Sequence, residues 1–165
     1  LDALRVNYYG DTSSAGQQIS FYQRGLLQGT GTAPTDMNVY ANEQWFKDAA
    51  GAALLGLQLS LGRIPANTEG VGSISLVLQG VIDRALFNGT ISTEKALTPA
   101  QRIYITHATG VEVAWSAVQS QGYYLSVRIE PYVATGGNTE YKAIYEIFYS
   151  KDDAIRKIEG THSLI

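Results

Sequence analysis

Chemistry needs a constellation of side chains, and this chain offers only fragments of one. His107 and His162 are its two histidines, and no His-x-x-x-His or Glu-x-x-His pair accompanies either. A metal centre would need such spacing, or acidic partners held close by. The chain contains no cysteine, which removes thiol nucleophiles, thiolate metal ligands and disulfides together. Ser13 and Ser14 sit in "DTSSAGQQ", a polar turn pattern that lacks the Gly-x-Ser-x-Gly of a nucleophile elbow. "GTGT" at 29–32 and "EGVGS" at 69–73 are glycine-rich, but neither runs into Gly-Lys-Ser/Thr or completes a Gly-x-Gly-x-x-Gly. Asp83 and Arg84 are neighbours on an expected helix and so point apart; Asp152 and Asp153 suit the positive end of a helix. Asn88-Gly89-Thr90 matches a glycosylation sequon, yet a helix stop explains it. These residues predict no catalytic, cofactor-binding or metal site and no enzyme.

The composition points to contact surfaces. The 165 residues carry a net charge of −3, which argues against a nucleic-acid grip. No uninterrupted apolar run reaches the roughly 18 residues of a membrane span. Charged residues make up only 16%, below the roughly 25% of ordinary soluble domains, while tyrosines number 11. Tyrosine joins an apolar body to a polar tip, which suits interfaces as well as β-rich cores. The length fits a single domain, 1–165, and the start at Leu1 without a signal pattern reads as an excised C-terminal piece of a longer protein.

The elements follow from periodicity. "LRVNYYG" alternates loosely, "DTSSAGQQ" reads as a turn and "ISFYQRGLL" as a strand. From Thr35 and Asp36 the period becomes helical, with Ala41, Trp45, Ala49, Ala52, Leu55 and Leu59 on one face and an end near Gly62 and Pro65. A second helix is expected over about 69–88, with Ile74, Leu78, Val81 or Ile82, and Ala85 as its stripe. Thr98-Pro99-Ala100-Gln101 is a capping box opening a third. Trp115 and Val118 favour a fourth helix ending at Gly122, although Val113, Trp115 and Ala117 would also suit a strand. "YYLSVRIEPYV" and "TEYKAIYEIFYS" alternate across "TGGN", which predicts an antiparallel hairpin over 123–133 and 140–149. Ser150-x-x-Asp153 caps a last helix within 151–160, stopped by Gly160, and leaves the apolar-ended tail Thr161, His162, Ser163, Leu164 and Ile165. Helices with a terminal hairpin make the class α+β.

A series of segments carries a resemblance. "DMNVYANEQWFKDAAGAAL", "VIDRALFNGTIS", "LTPAQRIYI", "AWSAVQSQGYYLSV" and "EYKAIYEIFYSKDDAIRKIEGTHSLI" occur in this order. Together they resemble the C-terminal region of a sheath-like protein family of contractile-tailed bacteriophages and prophages, over nearly the whole chain. The resemblance implies an α/β sandwich with helices packed on a mostly antiparallel sheet, plus an extended C-terminal arm. It also implies a structural virion protein: hexameric rings stacked around a tail tube, contracting for genome delivery. Neighbouring subunits and the tube protein are the implied partners, with no nucleic acid, membrane or cofactor. The phage tail, built in the host cytoplasm, is the implied location. Strand exchange through the arm 161–165, and a tube contact through Lys151, Arg156 and Lys157, follow as expectations. The N-terminal domains of a full sheath protein are absent, so the resemblance leaves open whether this fragment alone is monomeric. Competing readings are another tail or baseplate structural protein, or an unrecognised ligand-binding or enzymatic domain.

Overall fold

The computed structural model describes residues 6–23, 25–28 and 35–151. The chain falls into two compact units, Leu1–Ala52 and Ala53–Ile165. It is α+β, with four helices and two small antiparallel sheets among the described residues. The terminal helix and arm expected within 151–165 lie, beyond Lys151, outside the described residues.

In the first unit, β1 (Tyr8–Ser14) pairs with β2 (Gln17–Gln23) as a ribbon. "DTSS" is therefore strand and not turn, a correction of the sequence reading. The reversal is Ala15-Gly16 alone, both at positive φ (+50° and +79°), the two-residue geometry that matches strand twist. Thr12, Ser13, Gln17, Gln18 and Ser20 are all exposed, so no buried apolar alternation marks the turn end of this ribbon. Asn7 ties its base by giving its amide to the Leu26 carbonyl (2.8 Å) and accepting from the Leu26 N–H (2.7 Å).

Helix α1 (Met37–Leu61) opens where Asp36 Oδ1 accepts from the N–H groups of Asn38 (2.7 Å) and Val39 (3.2 Å). Its buried positions are Phe46 and Ala50, with Ala53, Leu54 and Leu57 half-buried. The expected stripe is rotated by one residue from this set: Leu55 and Leu59 are 56% and 77% exposed. Leucines at 54, 55, 57, 59 and 61 make this end of α1 apolar nearly all round, so periodicity does not single out a face.

The second unit is built on α2 (Thr68–Phe87) and the hairpin of β3 (Tyr123–Val133) and β4 (Thr139–Tyr149). Asn67 caps α2 by accepting from the N–H groups of Glu69 and Gly70 (3.0 and 3.1 Å). Thr90 N–H bonds the Ala85 carbonyl (2.8 Å) and Gly89 N–H that of Leu86 (3.1 Å), which closes the helix in a Schellman motif. The expected stripe is the core: Ile74, Leu78, Val81, Ile82 and Ala85 are buried. Each of the four larger side chains contributes roughly 1.5–3 kcal/mol on burial, and Ala85 less. α2 is also, by length and composition, the one described helix apolar enough to cross a membrane. Its buried stripe accounts for part of that composition, while Leu76 and Phe87 are exposed (74% and 91%).

Helices α3 (Pro99–Thr109) and α4 (Ala114–Gln121) complete the unit. α3 carries the expected box: Thr98 Oγ1 accepts from Gln101 N–H (3.3 Å) and Gln101 Oε1 accepts from Thr98 N–H (2.9 Å). Leu97, Ile105, Ala114 and Val118 form a second cluster, joined by Trp115, Tyr124 and Phe148. The Arg102 guanidinium stacks 4.5 Å from the Trp115 ring and bonds the Leu97 carbonyl (3.1 Å) and Gln119 (3.2 Å). α4 ends at Gly122, whose φ is +88°. A Cβ there would lie 2.8 Å from both Ile91 Cγ2 and the Ser92 carbonyl oxygen, so only glycine fits.

Candidate functional site

The β3–β4 hairpin presents exposed side chains and two edges that no other described strand pairs with. Its register runs Tyr123↔Tyr149 through Val133↔Thr139. Odd-numbered residues share one face: Tyr123, Leu125, Val127, Ile129 and Pro131 with Tyr149, Ile147, Tyr145, Ala143 and Tyr141. Tyr123 donates to Gln79 of α2 (3.0 Å), which places α2 on this face. Tyr124 and Phe148, on the other face, pack into the α3–α4 cluster. The base of the hairpin is thus covered on both faces. Beyond Ile129 and Ala143 the cover ends: Val133 is 75% exposed and Tyr141 60%.

Ser150 locks the base. Its hydroxyl donates to the Ser92 carbonyl (2.7 Å), its N–H donates to the Gly122 carbonyl (2.9 Å), and its carbonyl accepts from Ser92 N–H (2.9 Å). The Ser150 hydroxyl is a buried donor to the loop after α2, and the helix it is expected to cap lies outside the described residues.

The same bonds set the hydrogen-bonding phase of the sheet. Ser150 N–H bonds Gly122 at one end of the hairpin, and Ala134 N–H bonds the Asn138 carbonyl (2.9 Å) at the other. Both pairs are even-numbered and in register with Tyr123↔Tyr149, so even residues form the closely bonded pairs. The N–H and C=O groups of odd residues point outward along the two edges. On β4 these include Tyr141, Ala143, Tyr145 and Ile147; on β3 the outward series is broken at Pro131, which has no N–H. Among the described residues no third strand pairs with either edge.

The even face of the distal half carries charge. Arg128 bonds Glu130 (3.0 Å) and Glu146 (3.1 Å), and Lys142 lies 3.8 Å from Glu130. The hydrogen bond from Arg128 to Glu130, reinforced by Glu146, pushes the guanidinium pKa further up. The Tyr132 hydroxyl donates to Glu140, which raises the phenol above its ordinary range. Exposed ion pairs of this kind add little to stability, and they occupy the charges locally.

Two clefts flank β4. The larger, about 400 Å³, lies on the odd face between the α1–α2 turn and the sheet; Ile64, Pro65, Ile74 and Ile129 line it, with Arg63 and Lys142 also on its wall. The smaller, about 170 Å³, lies under α3 and is bounded by Leu97, Tyr104, Ile105, Val118 and Phe148. Tyr104 stands at its mouth, 67% exposed, edge-on to Phe148 with ring centroids 6.4 Å apart.

Of the expected contact residues, Lys151 alone is described. It is half-buried, burial lowers its ammonium pKa, and its carbonyl accepts from Lys95 Nζ. Arg156, Lys157, His162 and the rest of the arm Thr161–Ile165 lie outside the described residues. His107 is exposed on α3. Asp83, also exposed, accepts from Gln79 (2.8 Å). Among the described residues no three His, Cys, Asp or Glu side chains stand close enough to hold a metal ion. The two clefts escaped the sequence reading because each joins residues far apart in the chain; the high tyrosine content pointed to contact surface without placing it.

A family model described as the E217 tail sheath protein gp31-like, C-terminal domain, matches residues 37–164. The match begins at α1 and leaves the β1–β2 ribbon outside it. No curated protein matches the chain.

Proposed function

The chain belongs to the E217 tail sheath protein gp31-like C-terminal domain family, and from that premise we propose that it is an assembly module of a contractile phage tail. At the level of the family it is a structural domain of a phage tail sheath, which self-associates within the virion tail. The finer reading is that six copies form a ring, rings stack around the tail tube, and the stack contracts without any catalytic step. Subunits are made and assembled in the host cytoplasm. The 128 matched residues carry this reading, because they include every described helix and the whole β3–β4 hairpin.

Physical features support it. An unpaired strand edge is a template for another chain, and strand addition is an established docking mode. The hairpin offers such edges, and the arm Thr161–Ile165 is a short segment with an apolar end able to occupy one. Lys151, Arg156 and Lys157 are the basic residues of a segment that also holds Asp152, Asp153 and Glu159, and in this reading they contribute to a contact with an acidic partner, the tail tube. Reversing charge at Arg156 and Lys157 is expected to weaken assembly, most strongly at low salt; assembly unchanged across salt concentrations with normal folding removes the tube contact from the account.

Electron microscopy of the full-length protein tests the whole reading. Tubes or contracted cylinders with six-fold rings are the expected result. A protein that never assembles and turns over a substrate contradicts it.

A further inference from the structure

We propose that the larger cleft beside β4 receives the α3–α4 turn of a second copy, with Val113 entering the cleft and Glu112 pairing with Arg63. The inference rests on the self-association of the sheath family and names one contact surface for it. The contact is made by side chains and adds no strand to the sheet.

The turn is built as a knob. Gly110 ends α3 at φ +67°, and the Thr109 hydroxyl accepts from Val111 N–H (3.2 Å). The Val111 carbonyl accepts from Ala114 N–H (3.2 Å), where α4 begins. A turn held in this way loses little freedom on docking. Glu112 complements the positive end of α4, yet it is exposed and has no ion-pair partner among the described residues. Val113 is 69% exposed, occupies the N-cap of α4 and makes no side-chain cap bond. Serine, threonine, asparagine or aspartate serves a helix better at that position. An exposed valine that breaks a local rule without a local gain marks a residue kept for contact.

The cleft is complementary to this knob. Ile64, Pro65, Ile74 and Ile129 give it apolar walls, and Arg63 and Lys142 give it positive charge. Lys142 lies 3.8 Å from Glu130, whereas Arg63 has no ion-pair partner among the described residues. A dry apolar cavity of about 150 Å³ accommodates a benzene-sized molecule, so about 400 Å³ takes a valine side chain and the carboxylate beside it. The cleft lies on the odd face of the hairpin, with α2, while α3 and α4 pack on the even face. The sheet stands between a chain's own turn and its own cleft, so the partner is a second copy. The contact joins unlike surfaces, and such head-to-tail contacts propagate from subunit to subunit.

Charge swapping in the full-length protein tests the pairing. Arg63→Glu and Glu112→Arg are each expected to raise the concentration needed for assembly roughly tenfold, because each sets like charges against one another. Both side chains are exposed, so both variants are expected to melt with the intact protein. An equimolar mixture of the two is expected to assemble as the intact protein does, since each variant supplies the partner that the other has lost. Val113→Asn is expected to weaken assembly by a similar factor and to melt no earlier than the intact protein, because asparagine suits an N-cap. Single variants that assemble at the normal concentration, or a mixture that fails although both variants melt normally, overturn the contact and leave the sheath reading standing. Rescue by the double variant Arg63→Glu/Glu112→Arg without rescue by the mixture assigns the pair to one chain and also overturns it. Intact full-length protein that never assembles overturns the sheath reading itself.

Discussion

Within the β3–β4 hairpin, the half that includes Tyr123 and Tyr149 is enclosed by α2 on one face and α3–α4 on the other, while the half nearest the 134–138 turn stands in solvent. Both halves pair in the same register and alternate in the same way. They differ in what lies over them. At the base, the apolar stripe of α2 and the Leu97–Val118 cluster convert strand pairing into a core. In the distal half the tyrosines are exposed and the charges pair with each other. Strand pairing sets the geometry of both; helix packing decides where stability resides. The distal half is consequently free to serve as contact surface.

Substitutions through the second unit sharpen or break that contrast, and the midpoint of denaturant unfolding at unchanged slope reads each one. The largest loss is expected for Ile82→Ala on α2, about 2–5 kcal/mol, since its side chain is fully buried. Gly122→Ala comes next, about 2–4 kcal/mol, from a left-handed backbone that disfavours alanine and from overlap with Ile91 and Ser92. Ser150→Ala removes a buried hydroxyl donor to the Ser92 carbonyl, at about 1–3 kcal/mol. In the distal half, Arg128→Ala is expected to leave the midpoint close to that of the intact protein, since its ion pairs are exposed, and Tyr141→Ser to shift it by at most about 0.5 kcal/mol. A distal substitution as costly as Ile82→Ala would show that something covers this half and would end the comparison.

Sequence carried much of this fold because its signals were local. The Thr98–Gln101 box, the Asn88-Gly89 stop and the α2 stripe each depend on residues three or four apart, and each formed as read. The hairpin was legible because its alternation and its Gly136-Gly137 turn lie side by side. The face of α1 was not legible, since Leu54, Leu55, Leu57, Leu59 and Leu61 make several faces equally apolar and only tertiary packing selects one. Strand β1 was not legible either. Its polar "DTSS" pairs through the backbone with a partner that is also polar, and no buried face imposes a pattern on it. The clefts beside β4 depend on residues from α3, α4 and the α1–α2 turn, brought together only by the fold.

Removing residues 161–165 from the full-length protein tests most directly the claim that this domain is held together by its core and to its neighbours by its edge. The account predicts a subunit that melts within about 2 °C of the intact protein, which corresponds to under 1 kcal/mol for a domain of this size, yet builds no extended tubes. A truncated protein that melts far earlier, or that still assembles normal tubes, contradicts it.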